Sequence, residues 1–184
     1  RLTYPEHLRR RIKRIRDSYL WFQKVFPQED ISRFRLYFGA LIVSLPLPEM
    51  KQTGEKFNIS RKFIKNLSDF KKKEEELTGI ITASGDVEPS RIYAHLKPFP
   101  LEIVVMLLAW TASDTAASRI EQYISKDRFA ESLLTGDDLR KMGIPPGPVY
   151  RKILDALRAA RLDGRVNIRK EEIDMVRTLV DTDK

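Results

Sequence analysis

Proline sets the strongest limit on how this 184-residue chain can fold. Proline lacks a backbone N–H and clashes with the preceding helical turn, so helices start or stop beside it and central strands exclude it. Nine of the ten prolines stand at such boundaries: Pro27, Pro46, Pro48, Pro89, Pro98, Pro100, Pro145, Pro146 and Pro148. The segments between them show helical spacing and no strand-like alternation. The sequence therefore predicts an all-α fold, a multi-helix array without a sheet.

The first predicted helix has two contrasting faces. Its apolar residues recur at steps of three and four: Leu8, Ile12, Ile15, Tyr19, Phe22 and Phe26. This spacing is typical of a helix that packs one stripe against a core. The other face carries six cations: Arg9, Arg10, Arg11, Lys13, Arg14 and Arg16. Such a row could follow a phosphate backbone, or it could be an ordinary solvated helix face.

Further helices are predicted along the chain, in two helical units. Ser60 is expected to be the N-cap of a long helix, and Ser90 the N-cap of a short one. Between them, residues 82–89 contain the serine, glycine and proline that favour a joint. This joint predicts a body unit of residues 1–81 and a tail unit of residues 82–184.

The charge of the chain points to a polyanionic partner. Lysine and arginine outnumber aspartate and glutamate by 34 to 26, which gives a formal charge of +8 and an isoelectric point near 9.7. Basic surfaces bind nucleic acid by releasing counterions, and an anionic membrane surface is the second class of partner. Without cysteine, and without an apolar run near the ~20 residues of a membrane span, we expect a cytoplasmic protein that does not enter a membrane. The first residue is Arg1, so we also expect a longer parent polypeptide.

The stretch that begins at Thr135 carries the densest set of helix-boundary signals. Thr135 is a predicted N-cap, and Asp138 completes a capping box at the start of a short helix that includes Gly136. Gly143 is expected to end this helix in a left-handed conformation. Pro148 suits the first position of the next helix, where its missing N–H has no partner to lose.

The helix after Pro148 is predicted to start at an open end. Gly147 precedes it and would let a phosphate approach the free backbone N–H groups, while Arg151 and Arg158 share one face two turns apart. The helix is expected to stop at Gly164. Two more cations lie near that end, Arg161 and Arg165. This helix–loop–helix could bind phosphate, and it could equally dock a protein.

Four spaced blocks stand out in this region: Leu134-Thr135-Gly136-Asp137-Asp138-Leu139, Gly143-Ile144-Pro145-Pro146-Gly147-Pro148, Ile153-Leu154 and Leu162-Asp163-Gly164. Together they resemble the C-terminal signature of bacterial tRNA nucleotidyltransferases, the CCA-adding and A-adding enzymes of the poly(A) polymerase family. Upstream, Pro89-Ser90-Arg91-Ile92-Tyr93, Leu96-Lys97-Pro98 and Glu102 are similar to the helical region before that signature. The resemblance covers about residues 86–175, and before residue 80 it extends only to a helical, basic character.

The resemblance implies a role in tRNA maturation. In that family a head domain with a paired-aspartate metal site transfers CMP and AMP, or AMP alone, to the tRNA 3′ end, while helical body and tail hold the acceptor stem and the elbow. It follows that tRNA is the partner, that Mg²⁺ and ATP or CTP belong to a head missing from this chain, and that the chain itself needs no cofactor. The expected RNA contacts are Gly147, Arg151, Arg158, Arg161 and Arg165 in the tail, with Arg10 and Arg14 as a second group.

Catalytic residues are not expected in this chain. Its only Asp-x-Asp pattern is Asp181-Thr182-Asp183 at the C-terminus, where nothing would preorganise it for metal. The two histidines, His7 and His95, are too far apart for a metal motif. We therefore interpret the chain as the tRNA-binding region of a nucleotidyltransferase. The alternative is a helical scaffold or protein-interaction module whose charge serves only solvation.

Overall fold

The computed structural model describes residues 6–182, and every regular element in that range is helical. The helices are α1 (Glu6–Val25), α2 (Arg33–Ile42), α3 (Leu47–Lys56), α4 (Arg61–Thr82), α5 (Pro89–Leu96), α6 (Leu101–Trp110), α7 (Asp114–Ser125), α8 (Gly136–Lys141), α9 (Pro148–Leu162) and α10 (Arg169–Thr182). A 3₁₀ turn, Asp127–Phe129, follows α7. The predicted all-α fold is confirmed for this part of the chain. The Asp-x-Asp pattern extends beyond the described residues.

Serine side chains fix the starts of several helices. Ser32, Ser60 and Ser113 each accept a hydrogen bond of 3.3 Å from the backbone N–H three residues further on. This confirms Ser60 as an N-cap. The prediction for Ser90 is wrong, because α5 begins one residue earlier, at Pro89. Ser90 lies inside the first turn and donates its hydrogen bonds to a residue far away in the sequence, described below.

Helices α1 to α7 enclose one continuous apolar core. Helix α6 runs through it with residues 103–109 all buried, and it packs against α1 and α2. From the predicted stripe of α1, Ile15 and Phe22 are fully buried and Phe26 is half-buried. The cationic face of α1 is exposed, as the amphipathic pattern predicts.

Helices α8 to α10 form a second apolar cluster that shares no buried residue with the first. Its buried members are Leu134, Leu139, Ile144, Ile153, Leu157 and Val176. The predicted joint at residues 82–89 lies between α4 and α5, and buried residues on both sides of it belong to the first cluster. Packing therefore changes from one core to the other after α7, between residues 126 and 133. The division into folding units at residue 82 stays a prediction.

The second cluster is held to the first through α5 and α9. Asp163, just after α9, accepts hydrogen bonds from the backbone N–H and the hydroxyl of Ser90 at 2.9 and 2.8 Å. Burial acts to raise the pKa of Asp163, but the bonds from Ser90 and Arg165 outweigh it and keep the pKa below its usual value. Alongside this pair, the guanidinium of Arg158 lies 5.8 Å from the ring centre of Tyr93. The junction is thus largely polar.

Candidate nucleic-acid interface

The start of α8 forms the predicted capping box. The hydroxyl of Thr135 accepts from the N–H of Asp138 at 3.4 Å, and Asp138 Oδ2 accepts from the N–H of Thr135 at 2.8 Å. Gly136 is the first residue of the helix. Hydrogen bonds from the backbone and hydroxyl of Thr135, together with Arg169 of α10, lower the pKa of Asp138 to about 2. Asp138 is therefore a carboxylate at neutral pH, which keeps this helix start in place.

Both predicted glycine C-caps are confirmed. Gly143 has φ +81° and Gly164 has φ +72°, the left-handed region in which other residues are strained. After α8, the N–H of Ile144 donates to the carbonyl of Leu139 at 3.1 Å, and an equivalent bond of 2.8 Å closes the end of α9. These six-residue bonds are typical of Schellman motifs. Backbone geometry therefore sets the direction in which the chain leaves each helix.

The connection from α8 to α9 lies on the surface. Residues 145–148 are all exposed, and α9 begins at Pro148 as predicted. Gly147 is extended, with φ 162°, a conformation open to any residue, and the space beside its Cα is empty. The hydroxyl of Tyr150 donates to the carbonyl of Ile144 at 2.9 Å and fastens the connection to the second core. No side chain caps the first turn of α9. Pro148 has no N–H, and the N–H of Tyr150 donates to the carbonyl of Gly147 at 3.0 Å, which leaves the N–H of Val149 available.

The predicted arginines of α9 differ in the solvent exposure of their side chains. The side chain of Arg151 is 88% exposed, whereas that of Arg158 is 21% exposed. Arg158 donates to the carbonyl of Ala130 at 3.0 Å and to Asp155 at 2.7 Å. The two arginines do share a face, and Asp155 lies between them, 3.7 Å from Arg151. This geometry gives Arg158 a structural contact and leaves Arg151 open to a ligand.

The arginines near the end of α9 divide in the same way. Arg165 is 59% exposed while it pairs with Asp163 at 2.7 Å. Arg161 is 32% exposed and lies 3.8 Å from the buried carboxylate of Glu172. Arg165 is therefore the more accessible of the two. Direct RNA contact by any of these arginines stays a prediction.

Two residues of α10 that position α8 carry no signal in the sequence. Glu172 is fully buried, and its two carboxylate oxygens accept the N–H groups of Leu133 and Leu134 at 3.0 and 2.8 Å. Arg169 donates to the carbonyl of Leu133 at 2.9 Å and pairs with Asp138. The partners lie between 31 and 39 residues away in the chain. No local pattern could therefore have revealed these contacts.

The cations of α1 border a cleft of about 720 Å³. Arg10 and Arg14, the second predicted group, line it together. Arg10 also pairs with Glu6 at 2.7 Å, and Arg14 donates to the carbonyl of Thr111. The structure thus brings these two arginines to one concave surface, whose lining includes residues of α1, α4 and α6 and none of α8 or α9.

Two other kinds of site, a metal cluster and a membrane-spanning helix, are absent from the part of the chain that the structure describes. Among the side chains that the structure describes, no three histidine, aspartate or glutamate residues gather as they would to hold a metal ion. Between residues 6 and 182 no single helix is long and apolar enough to cross a membrane, and the one pair that reaches the length jointly, α5 and α6, is bent by 117°.

Comparison with known proteins gives one sequence relative and several structures. No family model matches the chain. The A-adding tRNA nucleotidyltransferase of Geobacter sulfurreducens is 31% identical over 166 residues, which covers 88% of this chain and 19% of the relative. The Thermotoga maritima CCA-adding enzyme in complex with tRNA superimposes with a TM-score of 0.80 at 17% identity, over 97% of this chain and 42% of that one. An apo form of a CCA-adding enzyme gives 0.77 at 18% identity, over 96% and 41%.

These comparisons confirm the resemblance to tRNA nucleotidyltransferases. The sequence match extends well beyond the motif segment at residues 134–164, and the fold is shared along nearly the whole chain. The chain spans about a fifth of the length of its sequence relative.

Proposed function

We propose that this chain is the tRNA-binding helical region of a tRNA nucleotidyltransferase, which adds CCA or A to the tRNA 3′ end. The observation that carries the proposal is the sequence match to an A-adding enzyme over 88% of the chain. In this proposal the catalytic head lies outside the chain and supplies the Mg²⁺ and ATP or CTP sites. The protein acts in the cytoplasm.

The geometry of the tail supports a grip on the RNA backbone. The first turn of α9 has no side-chain cap and leaves the N–H of Val149 available. Arg151 stands one turn after Pro148, with 88% of its side chain exposed. Helix N-termini and arginines both bind phosphate, the former through N–H groups and the latter through a fork of donors. The exposed residues 145–148 leave room for a backbone to approach. Recognition of this kind reads the shape of an A-form RNA rather than its bases.

The competing function is protein docking at the connection between α8 and α9, residues 143–148. In that case the exposed prolines would form an apolar docking surface, and the charged residues would only keep the surface solvated. Binding to RNA and its dependence on salt separate the two, because each phosphate contact makes log K fall with log salt by about 0.7 to 0.9.

The experiment is a titration of the whole chain with full-length tRNA and with an acceptor-stem minihelix that lacks the elbow, across a salt series. We expect tight, salt-dependent binding of tRNA and weaker binding of the minihelix. Arg151→Gln should lower tRNA affinity about fivefold and reduce the salt slope by about one contact. Arg177→Gln, which removes from α10 a cation whose side chain is 69% exposed and also pairs with an aspartate, is the matched control and should change affinity less than twofold. Equal binding of both RNAs, or of neither, would contradict the proposal.

A further inference from the structure

The junction between the two apolar clusters contains a cavity of about 500 Å³. Its walls come from residues of the segment 126–133, where packing changes from one core to the other, and from Arg161 and Leu162 at the end of α9. The volume lies within the ~300–1,000 Å³ of ordinary ligand sites. This junction cavity therefore has room for a small organic molecule that contacts both parts of the fold.

A buried carboxylate without a matching cation lines the junction cavity. Asp127 and Glu172 are the most deeply buried acids among the described residues. Glu172 accepts two backbone N–H groups and lies 3.8 Å from Arg161. Within the same part of the chain Asp127 accepts only from the amide of Gln122, at 3.2 and 3.4 Å, and forms no ion pair. Burial raises the pKa of Asp127, although Gln122 and the charge of Lys126 act to lower it. Because a carboxylate offers about four acceptor sites, Asp127 has capacity for a further donor.

The charges around the cavity leave an excess of negative charge inside it. Lys126 and Arg161 are the cations of the lining, and Asp127 and Glu131 are its acids. The charge of Arg161 is already balanced by the buried carboxylate of Glu172. Lys126 and Glu131 are exposed, so water screens both of them. The carboxylate of Asp127 is thus the charge that a ligand inside the cavity would meet, and it attracts a cation.

Phe129 provides an apolar wall that also attracts cations. This residue is 54% exposed, and the guanidinium of Arg128 lies 4.1 Å from its ring centre. The charge of Arg128 is matched by an ion pair with Glu29. A second cation can approach the ring, because the quadrupole makes both faces negative. Leu133, which is 39% exposed, and Leu162 add apolar surface. The lining therefore suits a charged head beside an apolar stem.

The lining favours an organic cation over a metal ion. Calcium and magnesium ions require several oxygen ligands. Among the described side chains, no third acidic or histidine residue joins Asp127 and Glu131. An ammonium or guanidinium group forms strong hydrogen bonds to one carboxylate, and an attached apolar stem gains from leaving water.

We infer that the junction cavity binds a small organic cation, an ammonium or guanidinium on an apolar stem, which pairs with Asp127 and packs against Phe129. This site goes beyond the proposed function, because it requires no RNA. Free amines and the side chain of a lysine on another protein share this chemistry, so the experiment includes a probe for each source.

The test is a titration of the whole chain with three probes of similar shape and different charge: hexylammonium, hexanol and hexanoate. Chemical shifts of the backbone amides in NMR spectra locate each probe and give its Kd. We expect hexylammonium to shift the amides of residues 126–133 and to bind about tenfold more tightly than hexanol, because hydrogen bonds to a charged group are the stronger ones. Hexanoate should bind more weakly still. A fourth probe, acetyl-glycyl-lysyl-glycine amide, carries the same head on a peptide, and binding tighter than that of hexylammonium would assign the site to a protein side chain.

Two matched pairs of variants test the residues. Asp127→Asn is compared with Asp114→Asn, which removes an exposed acid outside the cavity. Phe129→Leu is compared with Phe57→Leu, because the two phenylalanines are 54% and 57% exposed and Phe57 does not line the cavity. We expect Asp127→Asn to weaken hexylammonium about tenfold and Phe129→Leu about threefold, with less than twofold loss in each control. Thermal unfolding shows whether each variant folds, and the Phe129 pair carries the test if Asp127→Asn does not.

Several outcomes would overturn the inference. Equal binding of hexylammonium and hexanol would show that only the apolar surface matters. Tighter binding of hexanoate would assign the cavity to an anion held by Lys126 and Arg161. Equal losses in the cavity variants and their controls, or no shift at residues 126–133 with any probe, would also contradict a cation site. None of these results depends on tRNA binding, which the titration with tRNA tests separately.

Discussion

The Glu172→Gln substitution should weaken the hold of α10 on the start of α8. Glu172 is fully buried, and its two oxygens accept the N–H groups of Leu133 and Leu134 at 3.0 and 2.8 Å. The amide keeps one acceptor oxygen and turns an NH₂ group toward the other N–H, which then has no acceptor. The substitution also removes the negative charge that faces Arg161 at 3.8 Å.

The size of the effect follows from these contacts. A hydrogen bond to a charged group contributes about 1.5 to 3 kcal/mol, and a buried donor left unpaired costs about 1 to 3 kcal/mol. Because one of the two bonds survives in weakened form, we expect the free energy of unfolding to fall by about 2 to 4 kcal/mol. For a chain of this length each kcal/mol shifts the melting temperature by about 2 to 4 °C, so Tm should drop by roughly 5 to 15 °C.

The assay is thermal unfolding followed by circular dichroism, with Glu171→Gln as the matched control. Glu171 also accepts hydrogen bonds from two backbone N–H groups, those of Asn167 at 2.6 Å and Ile168 at 3.2 Å. Because Glu171 is exposed, water can bind the N–H group that loses its acceptor in the glutamine variant. Its substitution should lower Tm much less than Glu172→Gln does. Equal shifts for the two variants would refute the reasoning that burial decides the cost.

Two further predictions concern helix packing and acid stability. Gly54→Ala should lower the free energy of unfolding by about 1 to 3 kcal/mol, because a Cβ there would lie 2.5 Å from the side chain of Ile64. Gly79→Ala, with open space around it, should raise that free energy by about 0.5 to 1 kcal/mol, and urea titrations in which both variants move the same way would contradict this. The pKa of Asp138 is lowered to about 2 by its bonds from Thr135, so its stabilising contribution is complete above about pH 4 and disappears as the pH falls toward 2. Asp138→Asn should remove that part of the acid transition, and an unchanged stability profile between pH 4 and 2 would refute the assignment.

The features that could be predicted from the sequence are those decided within a few residues. An N-cap such as Ser60 or Thr135 needs only a free N–H two or three positions away, and a left-handed end such as Gly143 needs only the absence of a Cβ. Proline positions predict helix starts for the same reason, as Pro148 shows. These local rules hold wherever the helix later packs.

The features that could not be predicted depend on helices that meet far apart in sequence. Serine is a preferred N-cap residue, but Ser90 instead donates its hydrogen bonds to Asp163, which lies 73 residues away. Lys71 reaches the α1 cleft only because the tertiary fold brings residues of α1, α4 and α6 to one cleft, and its neighbour Lys72 lines other grooves. Arg158 has the same local pattern as Arg151, and packing alone turns it to the interior junction. A single sequence does not contain the tertiary arrangement that separates such pairs.

The change of core between residues 126 and 133 makes this segment a natural crossover point for recombination. Because the two apolar clusters have no buried residue in common among the described residues, an α8–α10 segment taken from a relative would bring its own interior complete. Only the polar junction would have to be matched, chiefly the two hydrogen bonds between Ser90 and Asp163. The α8–α10 segment can thus be exchanged on the α1–α7 unit without rebuilding either core.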